Sequence, residues 1–361
     1  MTMSDTDMQE SSRGKRARTG SNATPPDFPI GGTIELPADL NVMDTPAGGM
    51  PIVQGLNQKR LLAFIDLATR LRWNDIPGPT VLVHVADIGL QTTEKLSSNA
   101  RNIRSFLTRG FDNSGIVVDI PALAKNEKRD YKPPIPFLVS NISQSEANTL
   151  EERECWSTAN VTFFAYKFKS PPTTFAMTLY GVSLDADNYG DMIVGNAVRR
   201  VIDQDQTARN FILDNHDAIP NGVDPITHIR SSIRAESFDI TLKGGVDVIP
   251  VFNIYIDPPM KDCEIFAKWI KHLRSLTYPT GHGNAISRDN FHCNCCKSRA
   301  HPTSMCPYPK ISGWMGKKYD YTRSPDGDAD YEQQSGSSRG RGGRRNNRGG
   351  RRGGRRGNRP Y

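Results

Sequence analysis

The sequence predicts an α+β fold in which helices pack against a mainly antiparallel sheet. Apolar residues recur at the helical spacing of three to four residues in some segments and alternate with polar residues, as in strands, in others. Along residues 52–278 these segments follow the order helix, strand, strand, helix, strand, strand, helix, strand, strand, helix. Pairs of strands separated by helices indicate an antiparallel sheet with helices packed on it.

The first half of this region contains two predicted helices and two predicted strands. The apolar spacing of residues 61–73 indicates an amphipathic helix, which the Pro-Gly-Pro of residues 77–79 would end. Residues 81–85 and 135–139 are short apolar runs typical of strands. Residues 143–156 open with the Ser-x-x-Glu spacing of a capping box, so we predict a helix there.

The second half contains two strands, a helix, a hairpin and a last helix. Residues 161–168 and 175–182 are rich in β-branched and aromatic side chains, and we predict that they are neighbouring strands. The apolar residues of 191–213 indicate one helix. Alternating apolar residues on both sides of a Gly-Gly pair predict a hairpin over 238–256, and residues 261–276 have the spacing of a final helix.

This order of elements loosely resembles the RNA-recognition motif. The RNP1 octapeptide that supplies the base-stacking aromatics of that motif is absent. We therefore predict that Phe163, Phe164, Tyr166 and Phe168 lie half in the core and half on the surface, rather than forming a row that stacks on bases.

Three cysteines and a histidine follow the α+β region within fourteen residues, in the order Cys-x2-Cys-x4-His-x4-Cys. Zinc prefers tetrahedral sulfur and nitrogen ligands, and two cysteines that are separated by two residues can direct both thiolates at one ion. A segment this short cannot bury a core of its own, so metal binding and folding are expected to coincide. The predicted ligands of Zn²⁺ are Cys293, Cys296, His301 and Cys306.

That spacing resembles the CCHC zinc knuckle of retroviral-type nucleocapsids and cellular RNA-binding proteins, which grip single-stranded nucleic acid. The resemblance implies RNA or single-stranded DNA as the partner. Three positions depart from the knuckle pattern, since Asn294, Ala300 and Pro302 stand where the family has an aromatic residue, a glycine and an apolar residue. The usual base-stacking platform is therefore weakened.

Some details of the knuckle stay open at this stage. Cys295 lies between two predicted ligands and is an alternative ligand, and His292 is a weaker one. A base-stacking surface would have to come from Met305, Tyr308 or Trp314.

The whole layout, with a Pro/Ser-rich start, an α+β body and one knuckle near the end, resembles a group of uncharacterised fungal zinc-knuckle proteins. Descent from mobile elements is one interpretation of that group, and the resemblance implies no known activity. A retroelement capsid precursor would share the knuckle and a basic tail. Its capsid domain would be nearly all helix, so the strands of residues 52–278 argue against that class.

Positive charge is concentrated near the C-terminal end. The chain has a formal net charge of +7, and its last 23 residues contain ten arginines and no acidic residue. A second basic stretch, residues 265–318, has nine lysines and arginines and one acidic residue, Asp289. Guanidinium groups pair with phosphates and stack on bases, and glycine lets the backbone follow an irregular strand. The predicted nucleic-acid-binding residues are Lys297, Arg299, Lys310, Arg341, Arg344, Arg345, Arg348, Arg351, Arg352, Arg355 and Arg356.

Composition divides the chain into six segments, in which the α+β region and the small knuckle are flanked by disordered termini. The first 48 residues are polar with little apolar periodicity, which favours disorder. The predicted segments are a disordered N-terminal tail (1–48), an α+β globular region (52–278), a linker (279–290), a CCHC zinc knuckle (291–310), an acidic spacer (311–338) and a disordered Arg/Gly-rich, RGG-like tail (339–361).

Several classes of protein do not fit this sequence. No apolar run approaches the ~18 residues of a membrane span, and the polar, acidic start is not a secretory signal. Four of the six cysteines lie within the knuckle, which favours a reducing compartment over a disulfide framework. We expect an intracellular protein, with the nucleus favoured over the cytoplasm because residues 15–18 are basic.

No enzyme motif is present, since the sequence has no phosphate-binding P-loop, nucleophile elbow, His-Glu-x2-His or dinucleotide fingerprint. A zinc ion that is held by four protein ligands also has no open position for a water molecule. We predict a non-enzymatic, zinc-dependent protein that binds RNA or single-stranded DNA through the knuckle and the tail. The alternative is a protein-interaction or assembly module, gag-like or otherwise, in which the knuckle mediates protein contacts and the α+β region binds a protein partner.

Overall fold

Two five-stranded antiparallel sheets, each packed against helices, form the framework of the protein. The α+β class predicted from the sequence is confirmed, with two sheets where one was expected. The computed structural model describes residues 34–86, 92–124, 133–241, 247–288 and 290–318.

The bounds of the helices and strands are as follows. The helices are α1 (Gln58–Leu61), α2 (Leu67–Asn74), α3 (Thr93–Phe111), α4 (Gln144–Arg153), α5 (Asn188–Gln204), α6 (Gln206–Asp214), α7 (Pro225–Ser232) and α8 (Cys263–Ser275). The strands are β1 (Val81–Val85), β2 (Val117–Asp119), β3 (Pro136–Ser140), β4 (Cys155–Ser157), β5 (Thr162–Lys167), β6 (Phe175–Tyr180), β7 (Arg234–Thr241), β8 (Val248–Tyr255), β9 (Thr277–Pro279) and β10 (Asn284–Ser287).

The two sheets have the same topology. The strand order is β2-β3-β1-β5-β4 in the first sheet and β7-β8-β6-β10-β9 in the second. Each strand of the first sheet therefore has the same position as the strand of the second sheet whose number is higher by five. Both halves of the chain follow the order strand, helix, two strands, helix, two strands, with α5, α6 and α7 together in the place of α3. Without its short fourth strand, each half is a β-α-β-β-α-β unit. The framework is therefore a tandem repeat of one topology.

Each sheet buries one face under its own helices. In the first sheet, Val81 of β1 lies in one buried cluster with Ile103 of α3 and Leu150 of α4. In the second sheet, Phe252 of β8 lies in a cluster with Trp269 of α8. Alternate residues along each strand point to the two faces, so the neighbours of these core residues face the other way.

The opposite faces of the two sheets are covered by the same C-terminal segment, residues 290–318. Leu82 and Phe164 of the first sheet are buried in one cluster with four cysteines of that segment and with the chain that leads to α2. Tyr255 of the second sheet is buried in a cluster with Ala300. The C-terminal segment therefore contacts both halves of the framework.

The aromatic residues in and beside β5, which were predicted to be partly exposed, are covered by the C-terminal segment and by the helices of the first sheet. Phe163 and Phe164 are fully buried, and Phe168 is 8% exposed. The hydroxyl of Tyr166 is buried, although part of its ring is not. The predicted division of these residues between core and surface was wrong, because both faces of the first sheet are occupied.

Two predicted helices are interrupted by aspartates. Residues 61–73 divide into α1 and α2, because Asp66 accepts a hydrogen bond from the backbone N–H of Thr69 and starts a new helix. Residues 191–213 divide at Asp205, which ends α5 and caps α6. A side chain that caps a helix satisfies backbone donors that an uninterrupted helix would have satisfied itself.

One helix prediction and one strand prediction also differ from the structure. The helix over 143–156 has the predicted capping box but ends at Arg153; Glu154 follows with a φ of 57°, which turns the chain into β4. Residues 161–168 and 175–182 form β5 and β6, which lie in different sheets rather than side by side. Strand β5 pairs with β1 and β4, and strand β6 pairs with β8 and β10. Each of the two strands therefore pairs only with strands of its own sheet.

The predicted linker, residues 279–290, contains β10. This strand pairs with both β6 and β9 and so completes the second sheet. The predicted hairpin is present as the β7–β8 pair, whose Gly-Gly turn lies outside the described residues. Residues 1–33 and 319–361 also lie outside them, and with them most of the predicted N-terminal tail and acidic spacer and the whole Arg/Gly-rich tail.

Candidate metal centre

Four side chains converge in the C-terminal segment at the positions predicted from the sequence. One potential ligand atom each of Cys293, Cys296, His301 and Cys306 lies within 4.8 Å of the other three. The three cysteines are buried and the histidine is half-buried. The Sγ of Cys296 is 3.5 Å from the Nε2 of His301. This group of three thiols and one imidazole could hold a metal ion.

Short-range backbone contacts bring the four ligands together. The backbone N–H of Cys293 donates to the carbonyl of Ser298 (3.0 Å), and that of Lys297 donates to the carbonyl of Cys293 (2.9 Å). Lys297 has a φ of 65°, which closes this turn. The N–H of Asn294 donates to the hydroxyl of Thr303 (2.8 Å), which holds the returning chain with its last cysteine against the turn.

The geometry fits a tetrahedral ion. Metal–sulfur bonds of about 2.3 Å and metal–nitrogen bonds of about 2.0–2.1 Å place neighbouring ligand atoms of a tetrahedron roughly 3.5–3.8 Å apart. The measured separation of Cys296 and His301 falls at that spacing. The other separations within the group are at most 4.8 Å, so the four atoms lie close enough together for one ion to be bound among them.

The electrostatics of the thiols favour a cation among them. Burial raises the pKa of Cys293 to about 12 and raises the pKa of Cys296 as well. Hydrogen bonds from Cys293 and the neighbouring thiols lower the pKa of Cys306. A bound cation favours loss of the thiol protons, because it compensates the negative charge of the thiolates.

A buried hydroxyl beside the cluster supports the same conclusion. The hydroxyl of Tyr166 makes no hydrogen bond to any described residue, and its pKa is raised by burial and by Cys296. Buried polar groups normally have a partner. A metal-bound thiolate is a stronger acceptor than a thiol, and groups that surround metal ligands commonly donate to them. Tyr166 packs against the buried cluster that contains the cysteines of the metal centre.

The two alternative ligands lie close to this group but outside it. Cys295 is buried and interacts with Cys306, yet its sulfur does not belong to the set of four converging atoms. His292 directs its Nδ1 at the guanidinium of Arg60, 3.2 Å away. Burial and the charge of Arg60 lower the pKa of His292 to about 3, so its ring is neutral at pH 7.

The metal-binding turn is also hydrogen-bonded to the second sheet. The side chain of Asn253 in β8 donates to the carbonyl of Ala300 (2.7 Å) and accepts from the hydroxyl of Thr178 in β6 (2.7 Å). All three residues are buried. Because the cysteines pack on the first sheet, this connection makes the turn a physical link between the two halves.

Replacing Asn253 with alanine is expected to lower the free energy of unfolding by about 1–3 kcal/mol, because the buried carbonyl of Ala300 and the hydroxyl of Thr178 lose their partner. Urea denaturation of the metal-loaded chain measures this loss. Tyr255→Phe is the control, since it removes the hydroxyl that accepts from Asn253 at 3.4 Å and leaves the two shorter hydrogen bonds of Asn253 in place. Equal stability of the Asn253→Ala protein and the unaltered protein would show that the link contributes nothing.

The predicted base-stacking residues are mostly inaccessible. Tyr308 is 1% exposed, packs edge-on against Phe164 with 4.7 Å between ring centroids, and donates to the carbonyl of Pro51. Trp314 is 6% exposed. Only Met305 of the three candidates, at 37%, has appreciable surface.

The predicted phosphate contacts near the knuckle differ in accessibility. Lys297 is only 5% exposed, and its Nζ donates to the carbonyl of Asn294 at 2.9 Å. Arg299 is half-buried, whereas Lys310 is exposed. The predicted tail residues, which lie outside the described residues, are Arg341, Arg344, Arg345, Arg348, Arg351, Arg352, Arg355 and Arg356.

Two arginines of other elements, Arg60 of α1 and Arg274 of α8, also make contacts in this part of the chain. Arg274 belongs to the basic stretch of residues 265–318 that the sequence indicated, whereas Arg60 was not predicted to lie here. Arg274 donates to the carbonyl of Arg288 (2.8 Å) and to the hydroxyl of Ser287 (3.3 Å). The predicted contact residues came from the knuckle and the tail alone, and only the tertiary structure shows that α1 and α8 reach the same place.

No helix within the described ranges is long and apolar enough to cross a membrane. No family model, no curated protein and no solved structure matches this chain.

Proposed function

We propose that the chain is a zinc-stabilised, non-enzymatic protein that binds RNA or single-stranded DNA. The observation that carries this proposal is a buried Cys₃His group set in the most basic part of the described chain. Thiolate and imidazole ligands in a tetrahedral arrangement are typical of structural zinc. Four protein ligands fill the coordination sphere, so the ion would hold the chain in place rather than activate a water molecule.

Charge indicates the class of partner. Residues 265–318, which include the whole metal centre, contain a single acidic residue among nine lysines and arginines. The Arg/Gly-rich tail adds ten arginines to the same end of the chain. Clustered positive charge of this kind is the electrostatic footprint of nucleic-acid binding.

The buried aromatics indicate how such binding would work. Tyr308 and Trp314 are occupied by packing, and both faces of the first sheet are covered. Contacts to the sugar-phosphate backbone, rather than stacking on individual bases, therefore account best for an affinity of this chain. Backbone contacts carry little sequence information and weaken steeply with salt.

A fluorescence anisotropy titration tests the proposal on the full zinc-loaded chain. The probes are labelled RNA and DNA single strands of about 20 nucleotides, long enough to pass several contact sites, and a duplex of the same length. We expect the single strands to bind more tightly than the duplex, with affinity that falls between about 50 and 200 mM salt. No binding to any probe at the lower salt would refute the proposal and would favour the protein-interaction alternative.

A further inference from the structure

A cavity of about 500 Å³ lies between the chain that precedes α1 and the end of the C-terminal segment. Residues 41–46 form one wall, and residues 311–315, without Trp314, form the other. The second wall continues directly from the metal-binding part of the chain. Ligand pockets of about 300–1,000 Å³ are typical of proteins, so this cavity is large enough to receive a single base.

One buried residue, Ser157 at the end of β4, holds both walls. The backbone N–H of Met43 donates to the carbonyl of Ser157, and that of Met315 donates to its hydroxyl, each at 2.9 Å. Ser157 is fully buried. The two walls are therefore fixed relative to each other by the edge strand of the first sheet, and the cavity does not need a ligand to form it.

The lining of the cavity suits a flat ring with a polar edge. Five apolar side chains line it, and two of them are methionines, Met43 and Met315. Thioethers make favourable contacts with aromatic rings and adapt to their shape. The uncharged polar side chains of the lining, which can bond to the edge of a ring, are Asn41, Thr45 and Ser312.

The charge of the lining indicates which ring. Asp44 is the charged residue among the described residues that line the cavity, and it is exposed. Arg153 lies near its charge, but the guanidinium of Arg153 donates to the carbonyl of Met43. An ionised carboxylate accepts hydrogen bonds and donates none, so it favours a ligand with donors and repels a phosphate.

Guanine is the base that best matches this carboxylate. Its Watson–Crick edge presents the N1–H and the 2-amino group side by side, and the two oxygens of a carboxylate can accept from both. On the same edge of adenine, cytosine and uracil, an acceptor stands next to the donor. These three bases would therefore place an oxygen or a nitrogen lone pair against the carboxylate of Asp44.

Positive side chains lie on both sides of the second wall. Lys310 precedes it, Lys317 and Lys318 follow it, and all three are exposed. Phosphates on either side of a bound base could pair with ammonium groups placed in this way. A carboxylate in the cavity with lysines beside it fits a base within a strand better than it fits a free anion.

We propose that this cavity binds one guanine base of a single-stranded nucleic acid, with Asp44 accepting hydrogen bonds from its Watson–Crick edge. This inference rests on the proposed function and names a site at which one base is read. Contacts to the sugar-phosphate backbone supply affinity that is common to all sequences, and the cavity adds a preference at one position.

The test uses the full zinc-loaded chain and labelled RNA strands of about 12 uridines in which one central base is varied. The central base is guanine, adenine, cytosine, uracil or hypoxanthine, which keeps the N1–H of guanine but lacks its 2-amino group. Asp44→Asn removes the charge of the cavity and keeps its shape. Asp75→Asn is the matched control, since Asp75 is exposed and does not line the cavity.

We expect the guanine strand to bind the unaltered chain about 5- to 30-fold more tightly than the adenine strand, with the hypoxanthine strand between them. Asp44→Asn should reduce the difference between guanine and adenine to less than about two-fold, because an amide has one acceptor oxygen and cannot accept in the same paired way. Ser312→Phe, which places a ring in the cavity, should reduce it as well, with a thermal melt to confirm that this protein remains folded. Asp75→Asn should keep the full preference.

The outcomes separate the cavity from the proposed function. If the unaltered chain binds none of the strands, the proposed function fails and the cavity proposal fails with it. If all strands bind equally well, or if Asp44→Asn keeps the preference for guanine, the cavity proposal alone is refuted. A preference that is lost in Asp44→Asn and in Ser312→Phe but kept in Asp75→Asn supports recognition of guanine in the cavity.

Discussion

Removal of the metal is expected to lower the midpoint of thermal unfolding of the full chain by about 8–16 °C. An ion at roughly 1,000 times its dissociation constant stabilises the folded state by about 4 kcal/mol. In a chain of this size each kcal/mol shifts the midpoint by about 2–4 °C. The effect should extend over the whole framework, because Cys293, Cys296 and Cys306 lie in the core of the first sheet and Ala300 packs on the second.

Differential scanning calorimetry with and without a zinc chelator measures this shift. Cys306→Ser should show the lower midpoint even with zinc present, because it removes a ligand. Cys263→Ser is the matched control, since that cysteine is the first residue of α8 and is not among the four converging atoms. Cys295→Ser should also retain its metal, since its sulfur is not among the four converging atoms. Equal midpoints with and without chelator would contradict a structural role for the ion.

Deletion of the Arg/Gly-rich tail, residues 339–361, is expected to weaken binding of single-stranded RNA by about 100-fold at roughly 100 mM salt. The tail holds ten arginines, and each phosphate contact releases condensed counterions. If about half of them contact phosphate at once, the slope of log affinity against log salt should fall by about 3. Because the tail is tethered, we also expect it to raise the local concentration of nucleic acid at the basic segment around the metal centre.

A salt series of anisotropy titrations separates this contribution from simple loss of chain length. Deletion of residues 2–33 is the control, because that segment is longer than the tail and has four acidic and four basic residues. It should leave affinity and salt slope unchanged. Identical binding by the intact and tail-deleted proteins would show that the tail does not contact the nucleic acid.

Local features of this structure were predictable, and their common property is short range. The four metal ligands lie within fourteen residues, so their spacing was sufficient to identify the group. The capping box of Ser143 and Glu146 depends on contacts three residues apart and is present. Helix α3 was not predicted, although the apolar spacing of Leu96, Ala100, Ile103 and Leu107 would have been enough to find it.

Features that depend on distant partners were not predictable. Nothing in the composition of β5 and β6 indicates that each belongs to a separate sheet, because strand pairing depends on segments far along the chain. The same applies to the burial of Tyr308 and Lys297, whose types favour the surface of a knuckle but which the framework encloses. The repeated topology became visible only once the strand order of both sheets was known.

The position of the metal centre changes the role that a knuckle would be expected to play. A tethered knuckle grips bases with its own exposed side chains. Here the corresponding segment packs against both sheets, and Arg60 of α1 contacts it through His292. We therefore propose that the ion influences binding through the arrangement of the framework, while positive charges of the C-terminal segment and of the tail meet the phosphates.

The most direct test of this account is a titration of zinc into the metal-free full chain, with metal content and RNA affinity measured on the same samples. We predict one zinc per chain, an RNA affinity that rises about 10-fold or more as the site fills, and no rise in Cys306→Ser. Affinity in the metal-free chain should be the part that the tail supplies. Stoichiometric zinc binding with an unchanged RNA affinity and salt slope would contradict the central claim, that the metal organises the surface that binds nucleic acid.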